Sequence, residues 1–266
     1  MLVDTHAHLH FKNFNKDRGD VVRRAKEKLE FIVEVGVNHS TNTQVLNLCN
    51  EYYDFIYPAI GLHPTDALPD ELDKIKTQIA SNKDSIIAIG EVGLDYYHEK
   101  DQGKQAYQRD TFSEMLLLAE KLDLPVITHT RNAEADAIEI LSSFNIKSVI
   151  MHCFSDNSLA NKCLDRGYWV SIPTIVCFLK EKQELVEIVG IEKMLLETDC
   201  PFLSPFRASR NEPSYVENSA RTISQILNTT FENVSLETTK NAKKAFEVET
   251  WKESRSADRN DTPDSG

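Results

Sequence analysis

The sequence predicts an α/β protein built as a single (β/α)8 TIM barrel, and three observations carry that prediction. Short apolar β-like runs alternate with stretches of helical spacing, which implies parallel strands joined by helical crossovers. Eight such units occupy about 245 residues, the length expected of a closed eightfold barrel. Residue types that bind metals stand at the ends of the first, fourth, fifth, sixth and eighth runs. An open doubly wound sheet gathers its site at one switch point between a few strands. A closed barrel brings five strand ends to one mouth, at the C-terminal ends of the strands.

The eight runs are residues 2–4, 31–37, 56–61, 86–90, 125–128, 148–151, 169–172 and 194–197. The first is short and leads directly into Asp4-Thr5-His6-Ala7-His8. The others are rich in Val, Ile and Leu, as strands buried on both faces require. Between them, Phe112, Met115, Leu116, Ala119 and Leu122 recur at helical spacing, as do Val216, Ala220, Ile223 and Leu227. Residues 235–246 read as a closing helix. No linker rich in Gly, Pro or Ser divides residues 1–246, which are expected to form one domain. Residues 247–266 hold six acids and three bases, with hardly an apolar side chain after Trp251. They are expected to be a disordered or loosely attached tail.

With 41% apolar residues among 266, the chain can bury a sizeable core. No apolar run is long enough to span a membrane, and no secretory leader is visible. Five scattered cysteines without a Cys-x-x-Cys pair fit a reduced, cytoplasmic setting better than a disulfide framework or a zinc ribbon. The net charge of −12 argues against a broad, passive grip on duplex nucleic acid. It leaves room for a site that takes one strand end or one phosphate, where metal and a few arginines supply the positive field.

His6 and His8 are two residues apart in an extended segment, so both rings point to one side. Imidazole is the commonest protein ligand for divalent transition metals. Glu91 lies inside the apolar run Ile89-Gly90-Glu91-Val92-Gly93-Leu94. Burying a glutamate there is costly unless it is paired or coordinated, and its two oxygens can bridge two cations. The flanking glycines are read as leaving room for metal or substrate. Asp95 is either a partner behind the ligands or a loop cap. His129 and His152 end matching strands and are read together as ligands of a second metal. Asp199 can bind metal and take a proton from an activated water. Glu197, two residues deeper, is expected to support a ligand, and His10 to lie in the following loop. Cys153 and Cys200 turn away from the ligands. Arg131, Arg207 and Arg210 lie near the expected mouth, and three guanidinium groups there suggest a phosphate-bearing substrate. The competing reading pairs them with local acids such as Glu134 or Glu212.

The chain resembles TatD-type metal-dependent deoxyribonucleases of the amidohydrolase superfamily. The matching segments are Asp4-Thr5-His6-Ala7-His8, Gly61-Leu62-His63-Pro64, Gly90-Glu91-Val92-Gly93-Leu94-Asp95-Tyr96, His152-Cys153-Phe154-Ser155, Glu197-Thr198-Asp199-Cys200-Pro201-Phe202-Leu203 and Arg210-Asn211-Glu212-Pro213. The resemblance covers residues 2–246. It implies two divalent ions (zinc, magnesium or manganese), one on His6, His8, Glu91 and Asp199, the other on Glu91, His129 and His152. It implies that Glu91 and Asp199 are catalytic, that His63 and Arg131 contact substrate, and that Arg210 contacts a phosphate. Two positions depart from the family pattern: Asp156 replaces the usual glycine, and Asn132 replaces the acid that commonly follows the arginine.

The activity this implies is phosphodiester hydrolysis, trimming DNA from a 3′ end, with no obligatory protein partner. The competing readings are an esterase such as a D-aminoacyl-tRNA deacylase, or a non-catalytic metal-binding barrel. The fourth strand offers Glu91 and no lysine, which argues against a branch whose metals are bridged by a carboxylated lysine.

Overall fold

The computed structural model describes residues 1–253. Eight parallel strands run in sequence order around the barrel: β1 (Leu2–Ala7), β2 (Leu29–Val35), β3 (Ile56–Ile60), β4 (Ala88–Asp95), β5 (Val126–Arg131), β6 (Val149–His152), β7 (Trp169–Pro173) and β8 (Met194–Glu197). The helices are α1 (Arg18–Lys26), α2 (His39–Glu51), α3 (Leu72–Ser81), α4 (Gln102–Leu122), α5 (Glu134–Leu141), α6 (Ala160–Asp165), α7 (Lys180–Val189), α8 (Val216–Ile226) and α9 (Phe231–Ala245). Local chemistry starts several of them. Asn38 and Thr41 form a reciprocal capping box at α2, and Asp101 accepts Lys104 N–H at 2.9 Å at α4.

The barrel closes where β1 meets the segment after β8. Asp199 N–H donates to His6 O at 2.9 Å, His8 N–H donates to Cys200 O at 2.9 Å, and Ala7 pairs with Cys200 in a parallel bridge. Thr5 Oγ1 adds a bond to Leu196 O at 3.0 Å. The expected barrel is therefore the observed one.

Besides a shift at the start of β1, where Leu2 pairs with Leu29 and Val3 with Phe31, two strands carry an extra residue at the site. Asp4 pairs with Ile32 and Ala7 with Glu34, so three steps in β1 face two in β2. Ile89 pairs with Val126 and Val92 with Thr128, the same mismatch between β4 and β5. Each is a bulge that re-aims the following side chains. One bulge spans His6 and the other Glu91. β4 accordingly continues to Asp95, five residues beyond the expected end, and β1 extends to Ala7.

Two apolar layers result. Val3, Phe31, Val33, Tyr57, Ile127, Ile150 and Leu195 fill the barrel interior. Ile32, Ile89 and Leu196 pack outward with Val22, Phe112 and Ile223 of the helices. The interior layer ends on Phe246, Val248 and Trp251, whose ring centroid lies 4.7 Å from that of Tyr57. Residues 248–253 are helical, with Val248 and Trp251 buried. This corrects the expected boundary at 246: the first part of the tail is packed because two apolar side chains cover the N-terminal end of the barrel. The rest of the expected tail lies outside the described residues. Among the described residues, no helix is long and apolar enough to cross a membrane.

Candidate metal centre

His6 and His8 are buried at the top of β1 with their Nε2 atoms 3.2 Å apart. The Nδ1 of His8 donates to Val35 O at 2.7 Å, which leaves its Nε2 lone pair facing the centre. Glu91 Oε2 is 3.4 Å from His6 Nε2 and 3.9 Å from His8 Nε2. Asp199 Oδ1 is 3.4 Å from His8 Nε2 and 3.9 Å from His6 Nε2. Nitrogen and oxygen donors held tetrahedrally ~2.0–2.2 Å from one ion stand roughly 3.3–3.6 Å from each other. The separations of 3.2–3.9 Å bracket that range, so His6, His8 and Asp199 fit around one divalent ion, with Glu91 Oε2 beside both rings.

The second oxygen of Glu91 faces a second donor cluster. Oε1 lies 2.7 Å from His129 Nδ1, 3.6 Å from His152 Nε2 and 3.7 Å from His63 Nε2. The far nitrogens of two of these rings are held by carboxylates. His129 Nε2 is 3.2 Å from Asp95 Oδ2, and His152 Nδ1 is 2.9 Å from Glu197 Oε2. A carboxylate behind an imidazole fixes its tautomer and raises its basicity as a ligand. Asp95 has both of its expected roles, because Oδ1 also accepts the N–H groups of Tyr97 and His98 at 2.9 and 2.8 Å. His6, His152 and Glu197 are also close enough to share an ion. The Glu197 oxygens, however, are taken by His152 and by Cys153 N–H at 2.9 Å.

His63 differs from its neighbours. Its Nδ1 accepts the backbone N–H of Thr65 at 3.2 Å, so the proton of the neutral ring sits on Nε2. His63 therefore presents a donor to the centre, as a substrate contact does, although its position beside Glu91 and His129 would also suit a ligand.

The electrostatics follow from this crowding. Burial acts to raise the pKa of Glu91, but the rings of His63, His152 and His6 outweigh it and hold the carboxyl well below its usual range. Asp199 is lowered in the same way, burial being overcome by His8 and His152. Burial would lower His8, yet Asp199 and Glu91 lift it to about 9. His152 also rises to about 9, because Glu197 and Glu91 overcome its burial. His63 falls to about 3 through burial and its neighbour His129.

Backbone geometry sharpens the mouth. Asn132, Cys153 and Asp199 adopt left-handed conformations at φ 56°, 47° and 54°, each just past the strand that carries a site residue. The glycines around Glu91 do not make way for a ligand, as expected, but for a neighbouring strand. A Cβ on Gly93 would sit 2.0 Å from His129 O, and one on Gly90 would sit 2.6 Å from Ile127 Cβ.

The donors open into a cavity of about 780 Å³. His63 and Arg131 line it, and Arg131 stacks over the Tyr97 ring at 4.0 Å. Glu134, its suggested partner, instead accepts Ala133 N–H and Ser155 Oγ. Arg210 is not brought to this cavity. Its fork makes two bonds of 2.8 and 2.7 Å to Asp17, and one nitrogen adds Asn13 O at 2.7 Å. Nor does it pair with Glu212, which takes Arg24 at 2.9 and 2.6 Å. The expectation of a phosphate contact at Arg210 is corrected, because its donors are directed at a carboxylate and a carbonyl on the β1–α1 connection. Arg207 is exposed outside the cavity lining. His10 lies past β1, as expected, with Nδ1 2.7 Å from buried Glu34. Burial pushes the Cys153 thiol up to about 12, which removes it as a nucleophile. Asn132 and Asp156, the two departures, line one separate surface cavity of about 680 Å³.

Phe11 and Phe202 also line the metal cavity, a role not expected of them from sequence. Their signal was an aromatic three residues after a ligand. Lys182 was missed as well: buried on α7, it donates to the carbonyls of Cys153 and Phe154 and braces the chain after His152. A lysine on an amphipathic helix gives no such signal.

An eight-stranded barrel that gathers imidazoles and carboxylates from five strand ends at its mouth defines the class of metal-dependent hydrolases. Within it, the chain belongs to the TatD related DNase family, whose model matches residues 3–247. It is 40% identical over 259 residues to the uncharacterized metal-dependent hydrolase YabD of Bacillus subtilis, covering 93% of this chain and 100% of that one. It is 34% identical over 258 residues to deoxyribonuclease TATDN3 of Homo sapiens, covering 92% and 94%. The crystal structure of YJJV, a TatD homolog from Escherichia coli, superposes with a TM-score of 0.85 at 23% identity, covering 93% and 98%, and supports the barrel fold. The protein is thus a hydrolase that acts on ester bonds and uses divalent metal.

Proposed function

We propose that this protein is a deoxyribonuclease that removes nucleotides from the 3′ ends of DNA strands by water attack on the phosphodiester. The observation that carries the reading is Glu91, whose two oxygens face two separate donor clusters. His6, His8, Glu91 and Asp199 would hold one divalent ion, and Glu91, His129 and His152 a second. Such ions supply Lewis acidity to a phosphoryl oxygen and make a nearby water acidic.

The chain's own residues do the rest. Asp199 orients the attacking water and accepts its proton, a role open to a carboxylate held ionised by His8. His63 donates through Nε2–H to a phosphate oxygen. The Arg131 guanidinium, with no carboxylate partner among the described residues and steadied on Tyr97, binds a phosphate oxygen of the substrate. Glu197 and Asp95 keep His152 and His129 in the ligand tautomer.

The test is hydrolysis of a 3′-labelled single-stranded DNA with EDTA or with added magnesium, manganese or zinc, beside the Glu91→Ala protein. Nucleotide release from the 3′ end that EDTA and the variant both abolish is the expected result. No cleavage with any ion, in protein shown to carry metal, overturns the reading and favours a small ester or an aminoacyl ester as substrate.

A further inference from the structure

The two walls of the metal cavity differ in chemistry. On one side, from the loops after β3 and β4 and from the end of β5, stand His63, His98 and Arg131, all able to donate hydrogen bonds, with Asp66 beside them. On the other, from the loops after β1 and β8, stand Phe11, Phe202 and Leu203.

The aromatic wall is keyed to the donors. Phe11 follows His8 by three residues, and its N–H closes a turn on His8 O at 3.2 Å. Phe202 follows Asp199 by three residues, and its N–H closes a turn on Asp199 O at 2.9 Å. The Phe11 ring lies parallel to the His8 imidazole, with centroids 4.9 Å apart and planes 7° apart. Phe202 stands edge-on to Phe11 at 6.1 Å and 72°, with 53% of its surface exposed. A phenyl ring so exposed costs solvation, and its edge-on contact with the Phe11 ring leaves a face open. Held by a turn on a donor residue, it lies within one nucleotide's reach of whatever phosphate the donors bind.

Charge narrows the occupant. The chain carries a net −12, and Arg131 is the one arginine or lysine in this cavity lining among the described residues. A ladder of phosphate contacts is therefore unavailable, and affinity has to come from elsewhere. Base–aromatic stacking supplies it without charge and without regard to sequence.

We infer that Phe11 and Phe202 form a stacking subsite for the nucleobase attached to the phosphate at the donor cluster. The inference rests on the nuclease reading for its substrate class and adds the group that is recognised. A nucleobase there lies flat on Phe202, with its sugar bridging to the phosphate beside Arg131. The subsite discriminates between a nucleotide and a phosphate ester lacking a planar group, and it tolerates any base.

Binding tests this without turnover. Affinities of the manganese-loaded holoenzyme for dAMP and for 2-deoxyribose 5-phosphate are compared by calorimetry in the wild type, Phe202→Ala, Phe202→Trp and Phe178→Ala. Phe178 is similarly exposed, at 52%, but lies outside the cavity lining, so its variant is the control. Wild type is expected to prefer dAMP by about tenfold or more, the magnitude of one stacked base. Phe202→Ala should bring that ratio close to one with affinity for the sugar phosphate unchanged, while Phe202→Trp and Phe178→Ala keep it. Equal affinity of wild type for both ligands, no binding of either, or an unchanged ratio in Phe202→Ala overturns the inference. Stacking found in a protein that trims no DNA overturns the nuclease reading and leaves the subsite standing.

Discussion

The Nδ1 of His152 stands 2.9 Å from Oε2 of Glu197, while Oε1 of the same carboxylate accepts the N–H of Cys153 at 2.9 Å. One side chain thus fixes both the ring and the backbone that follows it. Glutamine in its place keeps one acceptor and turns an amide against the other donor. Glu197→Gln is expected to weaken metal binding by about 10–100-fold, the usual effect of losing a partner behind a ligand. Calorimetric titration of the metal-free protein checks this. Wild-type affinity would mean that Glu197 has no orienting role.

Metal binding should release protons. In the metal-free protein His8 and His152 titrate near 9, against an ordinary value of 6.5. Both rings are therefore charged at pH 7, and a ligand nitrogen must be bare. The stabilisation these charged rings give the metal-free fold is complete below about 6.5 and is lost as pH rises through about 9. Metal affinity runs the other way, climbing up to about pH 9 and then levelling. Calorimetry at pH 7 in buffers of different ionisation enthalpy should count two or more protons released per protein, because His129 is raised as well, Asp95 and Glu91 outweighing its burial. A count of zero would contradict the raised values.

Arg131 and Arg210 should part company in kinetics. Arg131 faces the cavity with no acid partner among the described residues, so Arg131→Ala is expected to raise KM for a phosphodiester roughly 10-fold or more. Arg210 is tied to Asp17, and both are about one-third exposed. Arg210→Ala should leave KM unchanged and cost at most about 1 kcal/mol of stability. Steady-state kinetics and urea unfolding of the two variants separate these outcomes, and a KM effect at Arg210 would restore it as a substrate contact.

Trp251 measures how firmly the end of the described chain is attached. It is 9% exposed and packs on Tyr57 at the barrel floor. Trp251→Ala should destabilise the fold by roughly 2–4 kcal/mol, the usual range for a large buried aromatic near an edge. Chemical unfolding gives the number. A change under about 0.5 kcal/mol, as for an ordinary surface position, would mark the contact as idle.

Much of the site was legible because its chemistry is local. His6 and His8 share a face by alternation, and β8 ends where its apolar run ends, at Glu197. The barrel followed from the same alternation. The length of β4 was not legible, because a glutamate in an apolar run looks like the end of a strand when a bulge in fact carries the strand past it to Asp95. Arg210 was misplaced for another reason. Its partner Asp17 is remote in sequence, and an arginine's acid partner is chosen by the fold, not by its neighbours. The glycines beside Glu91 were noticed but explained wrongly, since a close approach between strands leaves the same sequence mark as room for a ligand.

The seam between β1 and the segment after β8 has a consequence for how the molecule comes into being. His6 and His8 are made long before Asp199, whose N–H closes the seam on His6 O and which follows the eighth strand. The complete donor set therefore cannot exist until the chain has passed Asp199. Closure depends on the most distant pairing in the fold, a slow kind of contact to form. An ion held by His6, His8 and Asp199 would clasp the first strand to the segment after the last, so chelation should slacken the barrel at that joint before any other.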